Sequence, residues 1–481
     1  MTADAPVRLP RVVIAAPASG HGKTMLTTGL LAALRRRGIE ASGHKVGPDY
    51  IDPGYHGAAT GRPGRNLDPW LQGEERIVPL LLHGATTPRP ADVAVIEGVM
   101  GLFDGAIGSG GFASTAHVAR LTRTPVVLVV DVAAASRSVG ATVLGFATFD
   151  PEVKVAGVLL NNVATARHEA EARDGVSVAG LPVLGAIPRR PEIVVPSRHL
   201  GLVPVVERAQ EATAAVEVLA ELVGAHVDLD AVLALADTAP DLSGPPWSAR
   251  EAVSSKAGEA GEAADGGGGC ERVRIAVAAG AAFSFLYAET SELLSAAGAE
   301  VVTFDPLRDD RLPIGTRGVF IGGGFPEVHA TALSANAPLR EDIARFAAAG
   351  GVIVGECAGL LFLGESLDGH PMCGVLSTRG RFGTRLTLGY RDAVAAADTL
   401  LARAGERVTG HEFHRTTVEA PTGAAQAPAW LWRNADGRPH RDGESRGTVH
   451  ASYLHVHWAG HPHLATRFVA AARRVPAQVR A

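Results

Sequence analysis

The chain has 481 residues, 45 Lys and Arg against 50 Asp and Glu, and a formal net charge of −5. At about 150 residues per domain the length suggests two to four domains and excludes a lone small binding module. With 46% hydrophobic and 20% charged residues, the composition fits a soluble globular enzyme, not a disordered chain or a general nucleic-acid binder.

Arg8 and Arg11 precede the apolar run Val12 to Ala16 as in a signal peptide, but the run is short and leads directly into a phosphate-loop pattern. No targeting segment is read there. Charges or prolines interrupt the apolar runs before the roughly 18 residues a membrane helix requires, so no membrane partner is expected. Cys270, Cys357 and Cys373 cannot complete a disulfide framework and lack C-x-x-C spacing. The expected setting is a reducing cytoplasm.

From Arg11 to about Leu242, short β-branched runs at 12–14, 94–96, 126–130 and 155–160 alternate with helix-like stretches. Alternation of this kind predicts βαβ units and a buried, doubly wound parallel sheet of the α/β class. The first strand opens into Ala16-Pro17-Ala18-Ser19-Gly20-His21-Gly22-Lys23-Thr24. Backbone N–H groups of such a loop surround phosphates, Lys23 suits the outer phosphates, and the Thr24 hydroxyl suits Mg²⁺. Pro17 stands where the usual pattern has glycine, so Ser19, Gly20 and Gly22 supply the flexible part.

Lys45-Val46-Gly47-Pro48-Asp49-Tyr50-Ile51-Asp52-Pro53 sets a lysine and two carboxylates on a loop, and the strand at 92–96 ends in Glu97. The glycine-rich continuation to Gly105 adds Asp104. In an open α/β sheet such loops gather at the carboxyl ends of the strands, where ligands bind. Glu97 would hold Mg²⁺ directly or through water. Asn161 and Asn162 follow the strand at 155–160.

These three motifs resemble the amidoligase domain of the cobyrinic or hydrogenobyrinic acid a,c-diamide synthases, a P-loop fold similar to dethiobiotin synthetase. The resemblance implies ATP and Mg²⁺ as cofactors, with Ser19, Gly20, Gly22, Lys23, Thr24, Asn161 and Asn162 at the nucleotide. It further implies metal ligation by Thr24, Asp49 and Glu97, and substrate handling by Lys45, Asp49, Tyr50, Asp52 and Asp104. Met100 to Phe103 would offer the macrocycle an apolar wall.

Residues 241–271, rich in Gly, Ser, Glu and Ala, read as a flexible linker between an amidoligase domain at 9–240 and a second α/β domain at 272–475. In the second domain strands are predicted at 273–277, 318–321 and 351–354, and helices near 289–297 and 338–349. Gly355-Glu356-Cys357-Ala358-Gly359 forms a G-x-C-x-G elbow that lifts a nucleophile above a sheet. Its helix N-terminus favours the Cys357 thiolate. Cys270 and Cys373 have no elbow and read as inert thiols.

His455 and His457 alternate in a strand-like segment and so share a face, one as base and the other as orienter of a triad. Gly322-Gly323-Gly324 follows a strand and would offer oxyanion donors from Gly323 and Gly324. These motifs resemble a class I glutamine amidotransferase domain of the kind fused to cobyrinic acid amidating enzymes. That resemblance assigns Cys357 as nucleophile and His455 as base. The commonest form has a glutamate where this chain has His457, so the third member stays open.

The implied activity is amidation of the a and c acetates of hydrogenobyrinic or cobyrinic acid, with glutamine and the corrinoid as partners and neither nucleic acid nor membrane. The oligomeric state is left open, a homodimer among the options. The alternatives are a partitioning ATPase of the deviant phosphate-loop type, or an amidase of other tetrapyrrole carboxylates.

Overall fold

The computed structural model describes residues 6–190, 197–198, 201–260, 272–419, 427–434 and 436–475. The chain folds into two compact units, Met1–Trp247 and Ser248–Ala481.

In the first unit seven strands form one sheet: β1 (Arg11–Ala15), β2 (Ala41–Val46), β3 (Arg65–Leu67), β4 (Val93–Glu97), β5 (Val126–Asp131), β6 (Val155–Val163) and β7 (Val183–Pro188). Their order is β3-β2-β4-β1-β5-β6-β7, and every pairing is parallel. Residues of β1, β2 and β4 are buried throughout, as expected for strands covered on both faces. The order reverses about β1, so the loop leaving β1 lies at the topological switch, where α/β sheets bind ligands. The helix Lys23–Arg36 follows that loop and buries Leu26, Leu30, Leu31 and Leu34.

The second unit has two sheets. Five parallel strands, β8 (Val273–Ala278), β9 (Ala299–Phe304), β10 (Thr316–Ile321), β11 (Val352–Glu356) and a later strand Val449–Ser452, are joined by antiparallel Glu444–Arg446. A largely antiparallel sheet is built around the long hairpin Arg379–Val394 and Arg407–Glu419, with His455–Val456 paired to its second arm. That hairpin has no counterpart in the sequence reading. Arg, Thr and Gly dominate its first arm, where most residues are partly exposed, so no clean apolar alternation marks it.

The linker expectation needs correction. Leu242 and Trp247 bury in the first unit, where Leu242 bridges Val7 and the Trp247 amide donates to the Pro79 carbonyl at 2.8 Å. Residues Ala249–Ala260, rich in alanine, form a helix of the second unit against helices Ala288–Ala296 and His463–Arg474. Their helix propensity outweighs the lack of a strong apolar face. Residues 261–271, with Cys270, lie outside the described residues.

Candidate active sites

In the first unit the loop between β1 and the helix Lys23–Arg36 is fixed from below. The Asn161 amide donates to the His21 carbonyl at 2.9 Å, and His21 Nδ1 accepts from the Asp131 N–H at 2.9 Å. Gly22 adopts φ 95°, and a Cβ there would lie 2.4 Å from Asn161 Nδ2, so only glycine fits. Asn161 is therefore a support for the loop. Asn162, at φ 62°, donates to Asp131 Oδ2 at 2.8 Å. Ser19 and Gly20 form the exposed tip.

Lys23 Nζ donates to the carbonyls of Ala18 at 3.2 Å and Met100 at 2.5 Å. Burial, with Lys45 nearby, lowers its pKa to about 8. Below the loop, oxygens converge: the Thr24 hydroxyl lies 2.6 Å from Glu97 Oε1 and 3.1 Å from Asp52 Oδ2. Lys45 Nζ lies between the same two carboxylates, 2.6 Å from Asp52 and 2.7 Å from Glu97.

Burial would raise the Glu97 pKa, but Lys45 and His56 outweigh it and hold Glu97 ionised well below the carboxylate range. Burial, then the charge of Asp49, pushes Asp52 the other way. One buried cation is thus shared unequally by two acids. His56 Nε2, 2.7 Å from Glu97 Oε2 and fully buried, was not anticipated. Its spacing of four from Asp52 on the helix Asp52–Thr60 was the available signal.

Asp49 turns Oδ1 to the amides of Ile51 (2.8 Å) and Asp52 (2.9 Å), which orders the entry to that helix. That oxygen is thereby engaged with the backbone, whereas Asp52, expected only at substrate, joins Thr24 and Glu97. Tyr50 sits half-buried on the same loop. Asp104 is exposed and accepts from the Gly101 amide at 2.9 Å. Of the expected apolar wall, Leu102 is core, Met100 is 47% exposed, and Phe103 packs on Phe146 and Phe149 with ring centroids at 5.7 and 4.6 Å.

In the second unit Cys357 sits at the turn between β11 and the helix Ala358–Leu363 with φ 51° and ψ −99°, a strained conformation for a side chain with a Cβ. The strain is held by close packing: the Cys357 amide donates to the Ser452 carbonyl at 2.7 Å, and a Cβ on Gly359 would lie 2.1 Å from the Ile321 carbonyl oxygen. The Ala358 N–H points at the sulfur and favours thiolate, but burial outweighs it and raises the thiol above its ordinary pKa. The helix terminus alone therefore does not offset burial at this thiol. Cys373 is buried and likewise raised by burial.

His455 is buried and lowered to about 3, first by burial and then by His414, so its imidazole is neutral at rest. It stacks on His411, its cross-strand partner, at 4.9 Å. A Cβ on Gly323 would come within 2.5 Å of His455 Cε1. His457 accepts from the Ala459 amide at Nδ1 (3.3 Å), stacks on Tyr287 at 4.1 Å, and sets Nε2 3.7 Å from the buried Glu289. Glu289 was not anticipated. It reaches the site through tertiary packing of the helix Ala288–Ala296.

The oxyanion expectation is corrected at Gly323, whose amide donates to the Phe285 carbonyl at 3.3 Å in a reciprocal bridge. The sequence reading also missed a polar cluster on the long hairpin. Arg391 Nε donates to Glu412 Oε2 at 2.6 Å, and His414 Nε2 lies 3.3 Å from the other oxygen of Glu412. Asp442 accepts from the Ser452 hydroxyl and, at 3.0 Å, from the Tyr453 amide. Alternation in Gly410-His411-Glu412-Phe413-His414, which puts Glu412 and His414 on one face, was the signal available.

Comparison with known proteins agrees with this division. Residues 12–203 match the CobQ/CobB/MinD/ParA nucleotide binding domain, and residues 274–463 match the CobB/CobQ-like glutamine amidotransferase domain. The chain is 54% identical to a hydrogenobyrinate a,c-diamide synthase of Streptomyces coelicolor, covering 97% of this chain and 98% of that one. It is 55% identical to the same enzyme of Thermobifida fusca, with 98% of each covered. A cobyrinate a,c-diamide synthase of Gloeobacter violaceus is 42% identical over 95% of this chain and 96% of its own. Among the described residues no helix is long and apolar enough to cross a membrane. A nucleotide loop over Thr24, Asp52 and Glu97, an elbow at Cys357, and this likeness over nearly the full length place the chain in the family of glutamine-hydrolysing hydrogenobyrinate and cobyrinate a,c-diamide synthases.

Proposed function

We propose that the chain amidates the a and c acetate carboxylates of hydrogenobyrinic acid at the expense of ATP, with nitrogen from glutamine. The observation that carries this reading is the presence, in one chain, of a nucleotide loop over an acidic cluster and, in the second unit, a strained elbow cysteine together with a buried histidine. Carboxylate is a poor acyl donor until its oxygen becomes a leaving group, and free ammonia is scarce at neutral pH. Each site answers one of these difficulties.

At the second site His455 takes the Cys357 proton as sulfur attacks the glutamine amide carbon. Ammonia leaves with that proton, and water then hydrolyses the thioester to glutamate. Oxyanion donors in this reading are the N–H of Ala358, next to the nucleophile, and that of Gly324, in the turn after β10. At the first site the γ-phosphoryl group of ATP passes to a substrate carboxylate oxygen, giving ADP and an acyl phosphate. Ammonia attacks the acyl carbon, phosphate leaves, and the amide remains.

Lys23 faces the transferring phosphates, and Lys45 holds Asp52 and Glu97 in place. Thr24, Glu97 and Asp52 form a hard, all-oxygen donor set that fits Mg²⁺, which supplies charge neutralisation of the phosphates when bound. Met100 and Phe103 offer the macrocycle apolar surface. The identities with the hydrogenobyrinate enzymes, above that with the cobyrinate enzyme, favour the metal-free ring. The reaction belongs to cobalamin biosynthesis and to the cytoplasm.

A partitioning ATPase shares the nucleotide-binding family but has no use for Cys357 and His455. The deciding experiment follows product mass with hydrogenobyrinic and cobyrinic acids, ATP and either glutamine or ammonia. Wild type adds two amides from glutamine, faster on the metal-free acid, and Cys357→Ala does so only from ammonia. ATP hydrolysis without amidation of either acid would favour the partitioning reading.

A further inference from the structure

His56 is completely buried on the helix Asp52–Thr60, one turn after Asp52, so the two side chains leave the same face of that helix. The neighbouring strand makes room for the ring: a Cβ on Gly43 of β2 would lie 2.7 Å from His56 Cβ and 2.9 Å from His56 Cγ. A glycine inside a strand marks a place where another group approaches closely. An imidazole has thus been admitted to a packed interior beside the end of β4.

The contacts of Glu97 divide between its two oxygens. Oε1 receives the Thr24 hydroxyl at 2.6 Å and Lys45 Nζ at 2.7 Å, whereas Oε2 meets His56 Nε2 at 2.7 Å. An ionised carboxylate can only accept, so the hydrogen of that last contact sits on Nε2. Nδ1 of the same ring is buried and makes no hydrogen bond among the described residues. A polar atom buried in this way is costly, and an apolar side chain would fill the space without that cost. The ring is therefore explained by what Nε2 does.

The terminal torsion of a glutamate is broad, so a carboxylate held at one oxygen can turn about its last bond. With Oε2 pinned from behind, Glu97 presents Oε1 in one direction, toward Thr24 and the phosphate loop. We propose that His56 is a positioning residue of the nucleotide site: its Nε2–H holds Glu97 Oε2 so that Oε1, together with Thr24, is aimed at the cation that accompanies ATP. The assignment rests on the function proposed above and adds to it a residue that governs cation affinity through Glu97 alone.

The test measures ATP binding to the full-length protein by calorimetry, with Mg²⁺ and again with a chelator, in the absence of corrinoid and glutamine. The gain in affinity due to the cation is then read apart from amidation. His56→Leu fills the space and removes the donor, and it lowers that gain roughly 10–100-fold while affinity for ATP without the cation stays nearly unchanged. His56→Gln sets an amide N–H near the place of Nε2 and recovers most of the gain. In ammonia-dependent amidation, His56→Leu raises the half-saturating Mg²⁺ concentration more than it lowers kcat.

An unchanged gain in folded His56→Leu overturns the proposal. Equal loss of ATP affinity with and without Mg²⁺ does so too, because a merely structural residue weakens both. If His56→Leu does not fold by thermal unfolding, His56→Asn takes its place, since its shorter amide falls short of Glu97. A gain in His56→Asn as large as that in His56→Gln then overturns the proposal. Failure of the parent function reads differently: the variants order cation-assisted ATP binding as stated, yet wild type amidates neither corrinoid acid.

Discussion

Lys45 is 4% exposed and is the cation between Asp52 and Glu97, so its removal leaves two buried acids with only His56 beside Glu97. Breaking a buried ion pair from one side costs about 3–5 kcal/mol, since the remaining charge stays desolvated. Lys45→Met is expected to lose stability of that order in denaturant unfolding at pH 7 and to lose ATP-dependent amidation. A loss below about 1 kcal/mol would show that water reaches the acids. Glu356, one residue before the nucleophile, shows the opposite kind of burial. Its carboxyl accepts from Trp458 Nε1 at 3.3 Å, and burial raises its pKa to about 8.

For Glu356 the folded pKa lies above the unfolded value of about 4.3. Its contribution to stability is therefore complete below that unfolded value and is lost as pH rises from there through about 8. Glu356→Gln copies the protonated form, so its Tm relative to wild type should climb steadily from pH 5 to pH 8. A difference that does not change with pH would mean that the carboxyl is already ionised.

At the scale of elements, turns position the chemistry. The turn after β10 places Gly323 against His455, and its bridge to Phe285 fixes the segment that leads through Tyr287 into the helix Ala288–Ala296, which carries Glu289. Gly323→Ala would force a methyl to 2.5 Å from His455 Cε1 and 3.1 Å from Phe285 Cβ. Displacing a base by about 1 Å costs on the order of 10²-fold in rate. The variant should lose glutamine hydrolysis by about that factor and retain amidation from free ammonia, measured in one preparation. Equal losses in both reactions would point to general unfolding.

The same distinction explains what was legible in the sequence. The loop at Gly22-Lys23-Thr24, the acid ending β4 and the cysteine elbow are short-range patterns, in which strand, turn and helix follow within a few residues. Glu412, His440 and Asp442 meet only because strand 439–442 turns back toward the long hairpin, and Glu289 comes to His457 from 168 positions earlier in the chain. The wrong detail at Gly323 has the same origin, since its amide is taken by Phe285, 38 residues away.

At the scale of the whole molecule, each site draws its residues from one compact unit: Lys23, Thr24, Lys45, Asp52, His56 and Glu97 from the first, Cys357 and His455 from the second. Each unit also has its own core. Leu31, buried completely on the helix Lys23–Arg36, belongs to the first, and Phe468, equally buried on the helix His463–Arg474, belongs to the second. Large-to-small changes at such positions cost about 2–5 kcal/mol through lost burial and the cavity left behind. If the cores stabilise their units separately, Leu31→Ala lowers the temperature at which ammonia-dependent amidation is lost and leaves that of glutamine hydrolysis in place. Phe468→Ala then does the reverse. Residual activity after a series of heating steps reads both reactions in each variant, and a common shift in both would show that the two units unfold as one.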